Sequence, residues 1–141
     1  MVSSFLAACI QLNSKRDIEL NIAEILRLVD EALELGAEFI TLPECTGMME
    51  PNRKLLKEKT PYEQDHSVLI AIRERAMESG AWILIGSLAI RLAGNQIVNR
   101  SYLIDEKGEI AVTYDKIHMF DVQLDDGQTY RESETYKPGT E

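Results

Sequence analysis

The stretch Gly36-Ala37-Glu38-Phe39-Ile40-Thr41-Leu42-Pro43-Glu44 has a near twin in Gly80-Ala81-Trp82-Ile83-Leu84-Ile85-Gly86-Ser87-Leu88-Ala89-Ile90. Each opens on a glycine, which ends a helix readily because it takes up the left-handed conformation without a Cβ penalty. Each then runs on as an apolar segment of the length and texture of a buried strand. Before the first, apolar residues from Ile18 recur at Ile22, Ile25, Leu26, Val29, Ala32 and Leu33, the 3.6-residue period of an amphipathic helix, with Asn13, Ser14 and Asp17 as candidate caps. Before the second, Val68, Leu69, Ile72 and Ala76 mark one helix face, and Asp65 is the expected cap. Helix, glycine and buried strand, twice over, is the pattern of an α/β fold.

Working outward, Phe5 to Ile10 reads as a further strand covered on both faces, with Cys9 as a small core residue. The polar segment from Met48 to Gln64, with Pro51 and Pro61, fits either a helical excursion or a rim loop. Gln96 to Ile104 and Glu109 to Tyr114 read as two strands joined by the turn Asp105-Glu106-Lys107-Gly108. Asp121 to Glu141 is rich in turn residues and reads mostly as loop. No linker or low-complexity segment interrupts the 141 residues, so one domain, or part of one, is expected.

Composition narrows the function. A net charge of −9 disfavours nucleic acid or an anionic membrane as partner, because both select basic surfaces. Hydrophobic residues make up 45% of the chain, enough for a real core. No stretch is long and apolar enough to span a bilayer, and Met1 to Cys9 lacks the pattern of a secretory signal. Two cysteines make neither a disulfide framework nor a four-ligand zinc site, and the expected compartment is the cytoplasm.

In α/β sheets, functional groups gather just beyond the C-terminal ends of strands. Glu44 follows a strand that Pro43 helps to end, and reads either as a solvated glutamate in a turn or, walled by apolar strands, as a general base. Lys116 ends the last clear strand. If the two strand ends meet, its ammonium faces the carboxylate and is placed to stabilise an oxyanion; otherwise it is a surface lysine guarding a strand edge. His118 stands beside Phe120 and reads as a packed structural residue, with His66 far off in sequence and no metal-ligand spacing between them. Glu132 adds an acid to a loop rich in hydrogen-bonding side chains.

Taken in order, "LPE", "GSL", "NRSYLID", "YDKIHMFD" and "YRESETYKPG" resemble the nitrilase superfamily of carbon–nitrogen hydrolases, and look closest to its omega-amidase and deaminated-glutathione amidase branch. The resemblance implies the N-terminal portion of a four-layer α-β-β-α sandwich and a Glu-Lys-Cys mechanism on a small amide. Glu44 then matches the general base, Lys116 the residue that stabilises the tetrahedral intermediate, and Glu132 a supporting acid. It also implies a thioester intermediate, release of ammonia, no cofactor or metal, and a homo-oligomer. The family's nucleophile follows the lysine, yet no cysteine follows Lys116 here. Residues 1–141 are therefore expected to be a carbon–nitrogen hydrolase domain cut before its nucleophile and inactive alone. Cys45 neighbours the base but points elsewhere on an extended chain, so both cysteines read as structural. The alternative is a non-catalytic domain of the same fold that binds a ligand or partner.

Overall fold

The computed structural model describes residues 4–140, so the readings at Met1–Ser3 and Glu141 lie outside the described residues. A five-stranded sheet runs in the order β1 (Ala7–Cys9), β2 (Phe39–Leu42), β3 (Trp82–Arg91), β4 (Ile97–Ile104), β5 (Ile110–Asp115). Strands β1, β2 and β3 are parallel, and β4 is antiparallel to both β3 and β5. It follows that β5 runs with β2, and their C-terminal ends leave the same edge of the sheet. That shared edge places residues 44 and 116 together.

Helix α1 (Ile18–Glu34) links β1 to β2, and α3 (Ser67–Ser79) leads into β3. Asp17 caps α1 by accepting from the Leu20 amide at 3.1 Å. Gly36, at φ 87°, lets the chain turn back so that the Ala37 amide reaches the Ala32 carbonyl. Ile25 and Val29 of α1, with Leu69 and Ile72 of α3, pack on Ile40, Ile83, Ile85 and Tyr102 of the sheet, all at most 2% exposed. Burying each such aliphatic side chain contributes about 1.5–3 kcal/mol. This single core holds both helices on one face.

The opposite face is open. On that side Phe39 stands opposite Trp82, and Leu84, Leu103 and Val112 stand in register across β3 to β5. Val112 is 58% exposed, and on β2 Phe5 packs edge-on against Phe39. One helical layer and one sheet are the N-terminal portion of the expected α-β-β-α sandwich, and this apolar face is where a second sheet packs in such a fold.

Four sequence expectations need correction. Strand β1 is short and lies at the sheet edge, so Cys9, opposite Thr41 on the open face, is exposed rather than a core residue. Asp65 does not cap α3. It closes a 3-10 turn (Glu63–Asp65), and His66 takes the cap position without a side-chain bond. His66 is instead buried at 3% exposure, with Nδ1 unpartnered. His118 is exposed, not packed. The tail folds further than a loop, forming the ribbon β6 (Asp121–Gln123) and β7 (Thr129–Arg131) and a 3-10 turn at Glu132–Glu134.

The helical reading of the 48–64 segment holds over α2 (Arg53–Lys59), capped by the Asn52 side chain. Arg91, at the end of β3, donates to the carbonyls of Lys57 and Thr60 and so ties α2 to the sheet. On β4, Arg100 grips Asp115 with two bonds of 2.6 and 2.9 Å and also meets Glu63, which accepts from the Tyr102 hydroxyl at 2.7 Å. This network fixes the end of β5 immediately before Lys116.

Candidate active site

Glu44 sits in a turn whose backbone is fastened to a bulge in β3. The ladder between β3 and β4 slips between Ile85 and Leu88, where Gly86 and Ser87 lie. A Cβ at Gly86 would collide with the Leu42 carbonyl oxygen and the Pro43 carbonyl carbon, so only glycine allows β3 this close to the end of β2. Ser87 then holds the turn: its Oγ accepts from the Cys45 amide at 2.9 Å, and its carbonyl accepts from the Thr46 amide at 3.0 Å. Cys45 adopts the left-handed conformation at φ 54°, uncommon for a residue with a side chain. The "GSL" signature thus has a local physical cause.

Lys116 leaves β5 with its amide bonded to the Asn99 carbonyl at 2.9 Å and its carbonyl accepting from Gly139 at 2.9 Å. Its Nζ lies 3.1 Å from Glu44 Oε1 and 2.9 Å from Glu132 Oε2. Burial pulls the ammonium's pKa down, but the bonds to Glu132 and Glu44 outweigh it and leave the group raised overall. Lys116 therefore stays charged between two carboxylates. Its Nζ also lies 3.1 Å from Glu132 Oε1, so it spans both oxygens of that carboxylate.

Glu132 is held from two sides, by Lys116 and by the Phe120 amide at 2.6 Å. The next residue is fastened too: Asp121 accepts from both the amide and the hydroxyl of Ser133. Arg53 of α2 donates to the Arg131 carbonyl and pairs with Glu134, which closes the segment over the site.

The structure thus brings Glu44, Lys116 and Glu132 into one cluster and leaves His118 outside it. Glu44 is 57% exposed at its side chain, so apolar strands do not wall it in; bonds from Asn99 and Lys116 hold it in place instead. Asn99 was missed as a site residue. It is 4% exposed, and its Nδ2 donates to Glu44 Oε1 at 2.8 Å. It lies within the "NRSYLID" stretch, but nothing local distinguishes it from any polar residue on a strand.

A cavity of about 590 Å³ opens above the cluster, lined by Glu44, Cys45, Lys116 and Glu132 and by Met48, Phe120 and Tyr136. Burial and the Glu44 and Glu132 charges push the Cys45 thiol up to about 11, with Lys116 opposing them. That thiol is protonated at neutral pH and a poor nucleophile. Among the described residues, no group of three metal-ligating side chains is placed to hold a metal ion. Nor is any helix there long and apolar enough to cross a membrane.

Residues 6–141 match the family described as carbon-nitrogen hydrolase. The chain is 34% identical over 135 residues to deaminated glutathione amidase of Yersinia enterocolitica, covering 94% of this chain and 46% of that protein. It is 31% identical over 140 residues to omega-amidase NIT2 of Mus musculus, covering 98% and 49%. Among solved structures, the C. elegans NitFhit protein superposes with a TM-score of 0.83 at 27% identity, over 96% of this chain and 33% of that one. An amidase from a Nesterenkonia species shares the fold, with a TM-score of 0.78 at 22% identity over 96% and 48%. The chain spans about half the length of these two curated relatives.

Proposed function

This chain belongs to the carbon–nitrogen hydrolase family, and we propose that it supplies the base and the charge-stabilising part of a thiol amidase for small linear amides. In this reading the attacking thiol comes from outside residues 1–141. The observation that carries it is one ammonium, Lys116, within 3.1 Å of both Glu44 and Glu132 at the floor of an open cavity. The curated names of the relatives support an amide as substrate.

The chemistry follows from the atoms. Asn99 and Lys116 both bond to Glu44 Oε1, which leaves Oε2 as the oxygen to receive a proton. Glu44 takes the thiol proton, and the thiolate attacks the amide carbon. The negative charge that develops on the amide oxygen meets the Lys116 ammonium at the cavity floor. The carbon–nitrogen bond breaks, and the nitrogen leaves as ammonia with the proton returned by Glu44. Water then attacks the thioester, giving its proton to Glu44, and the acid and the free thiol are released.

The test is ammonia release from a panel of short linear amides by the full protein and its Glu44→Gln and Lys116→Gln variants. A loss of kcat by about 10² to 10³ is expected for each. Variants that stay folded and turn over at the parent rate would sink the reading. Residues 1–141 alone are expected to release no ammonia.

A further inference from the structure

Ser87 fastens the turn that carries Glu44 at Cys45 and Thr46, but the next residue, Gly47, is held from elsewhere. Asn21, in the first turn of α1, is 4% exposed and gives its whole side-chain amide to backbone partners. Its Oδ1 accepts from the Lys15 amide at 2.7 Å, and its Nδ2 donates to the Lys15 and Gly47 carbonyls at 2.9 Å each. The Lys15 carbonyl also accepts from the Met49 amide at 3.0 Å, and the Ser14 hydroxyl donates to the Thr46 carbonyl at 3.4 Å. One buried side chain thus joins the β1–α1 loop to the segment just beyond the base.

Two further contacts carry that anchor back to Glu44. Thr46 is fully buried and donates from Oγ1 to the Pro43 carbonyl at 2.5 Å, so residues 43–46 form a closed turn with Glu44 and Cys45 inside it. Gly47 has little room to shift: a Cβ there would stand 3.0 Å from Leu88 Cδ2 and 3.2 Å from His66 Cε1. Without Asn21 the buried Gly47 carbonyl loses its donor and can find another only by moving. That movement passes into the closed turn, where Glu44 Oε1 must stay within reach of Asn99 and Lys116. Resting on the amidase reading, we propose that Asn21 is a positioning residue for the reaction, acting through Gly47 to set the turn that holds Glu44 against Lys116.

The test compares Asn21→Ala and Asn21→Asp in the full protein with Ile72→Val, a core change in α3. Asn21→Asp keeps the volume and the acceptor for Lys15 but removes the donors. At a temperature where the parent and Ile72→Val are folded, both Asn21 variants are expected to be folded too and to lose kcat about 10- to 100-fold, with KM within about 2-fold of the parent. Ile72→Val is expected to keep the parent's kcat. A crystal structure of an Asn21 variant should show Glu44 Oε1 drawn beyond about 3.5 Å from Lys116 Nζ or Asn99 Nδ2. An unchanged kcat, intact Glu44 contacts, an equal loss in Ile72→Val, or Asn21 variants that do not fold would each overturn the assignment. If the parent hydrolyses no amide, the amidase reading fails and the crystal structure alone decides: displaced Glu44 contacts keep the positioning role, and intact ones sink it.

Discussion

Asn99 donates its side-chain N–H to Glu44 Oε1 across 2.8 Å, from a position 4% exposed to solvent. The bond fixes the carboxylate: with Lys116 on the same oxygen, Oε2 has no competing partner among the described residues, and Glu44 lines the cavity. Replacing Asn99 by alanine should let the carboxylate rotate while the ion pair persists. The expected result in the full protein is a kcat lowered about 10- to 100-fold with KM nearly unchanged. Steady-state kinetics on a short amide would check it. A rise in KM at constant kcat would assign Asn99 to substrate binding instead.

Gly86 is the point where a side chain cannot be accommodated, because its Cβ would meet backbone atoms of Leu42 and Pro43. Backbone cannot rotate away as a side-chain tip can. Gly86→Ala is therefore expected to cost about 2 kcal/mol or more in stability, measured by urea unfolding. It should also displace the turn that carries Glu44, so activity should fall further than unfolding alone explains.

Burial pushes the His66 imidazole down to about 4 from its ordinary value of 6.5. As pH falls, the unfolded chain takes up the proton before the folded one does, so this stability is complete above 6.5 and is lost between there and about 4. The loss amounts to about 3 kcal/mol. His66→Leu should flatten that part of the stability curve, which denaturant melts at a series of pH values would read. A variant with the parent's slope would place the acid sensitivity elsewhere.

Cys45 lies closest in sequence to Glu44 and lines the same cavity, yet its thiol is held at about 11 and its amide is tied to Ser87. Cys45→Ala in the full protein should retain most of the activity, in contrast to Glu44→Gln. Inactivity of a folded Cys45→Ala protein would make it the nucleophile.

Much of this fold can be read from residue order, because its local signals agree with its tertiary needs. The period from Ile18 to Leu33 and the stops at Gly36 and Gly80 give both helices, and the runs after them give β2 and β3. Glu44 and Lys116 were legible as residues just past strand ends. What failed depends on neighbours the sequence does not name. Cys9 lies in an apolar run, but an edge strand is covered on fewer sides than a central one. Asn99 and Tyr136 acquire their places only when β4 and the tail meet the Glu44 turn. Asp65 has the right chemistry for a cap and is displaced by a 3-10 turn that delivers Glu63 to Arg100 and Tyr102.

The ion pair between Glu44 and Lys116 joins residues 72 positions apart in the chain, whereas Lys116 and Glu132 are 16 apart. The first contact spans a long loop and rests on the pairing of β3, β4 and β5, so the backbone positions that carry it are held as firmly as the sheet itself. The second hangs on the exposed β6–β7 ribbon and can detach while the sheet stays intact. Amide hydrogen exchange should accordingly run on two clocks, slow at Asn99 and Lys116 and fast at Phe120 and Glu132. The cluster would then lose its second carboxylate long before it loses its first.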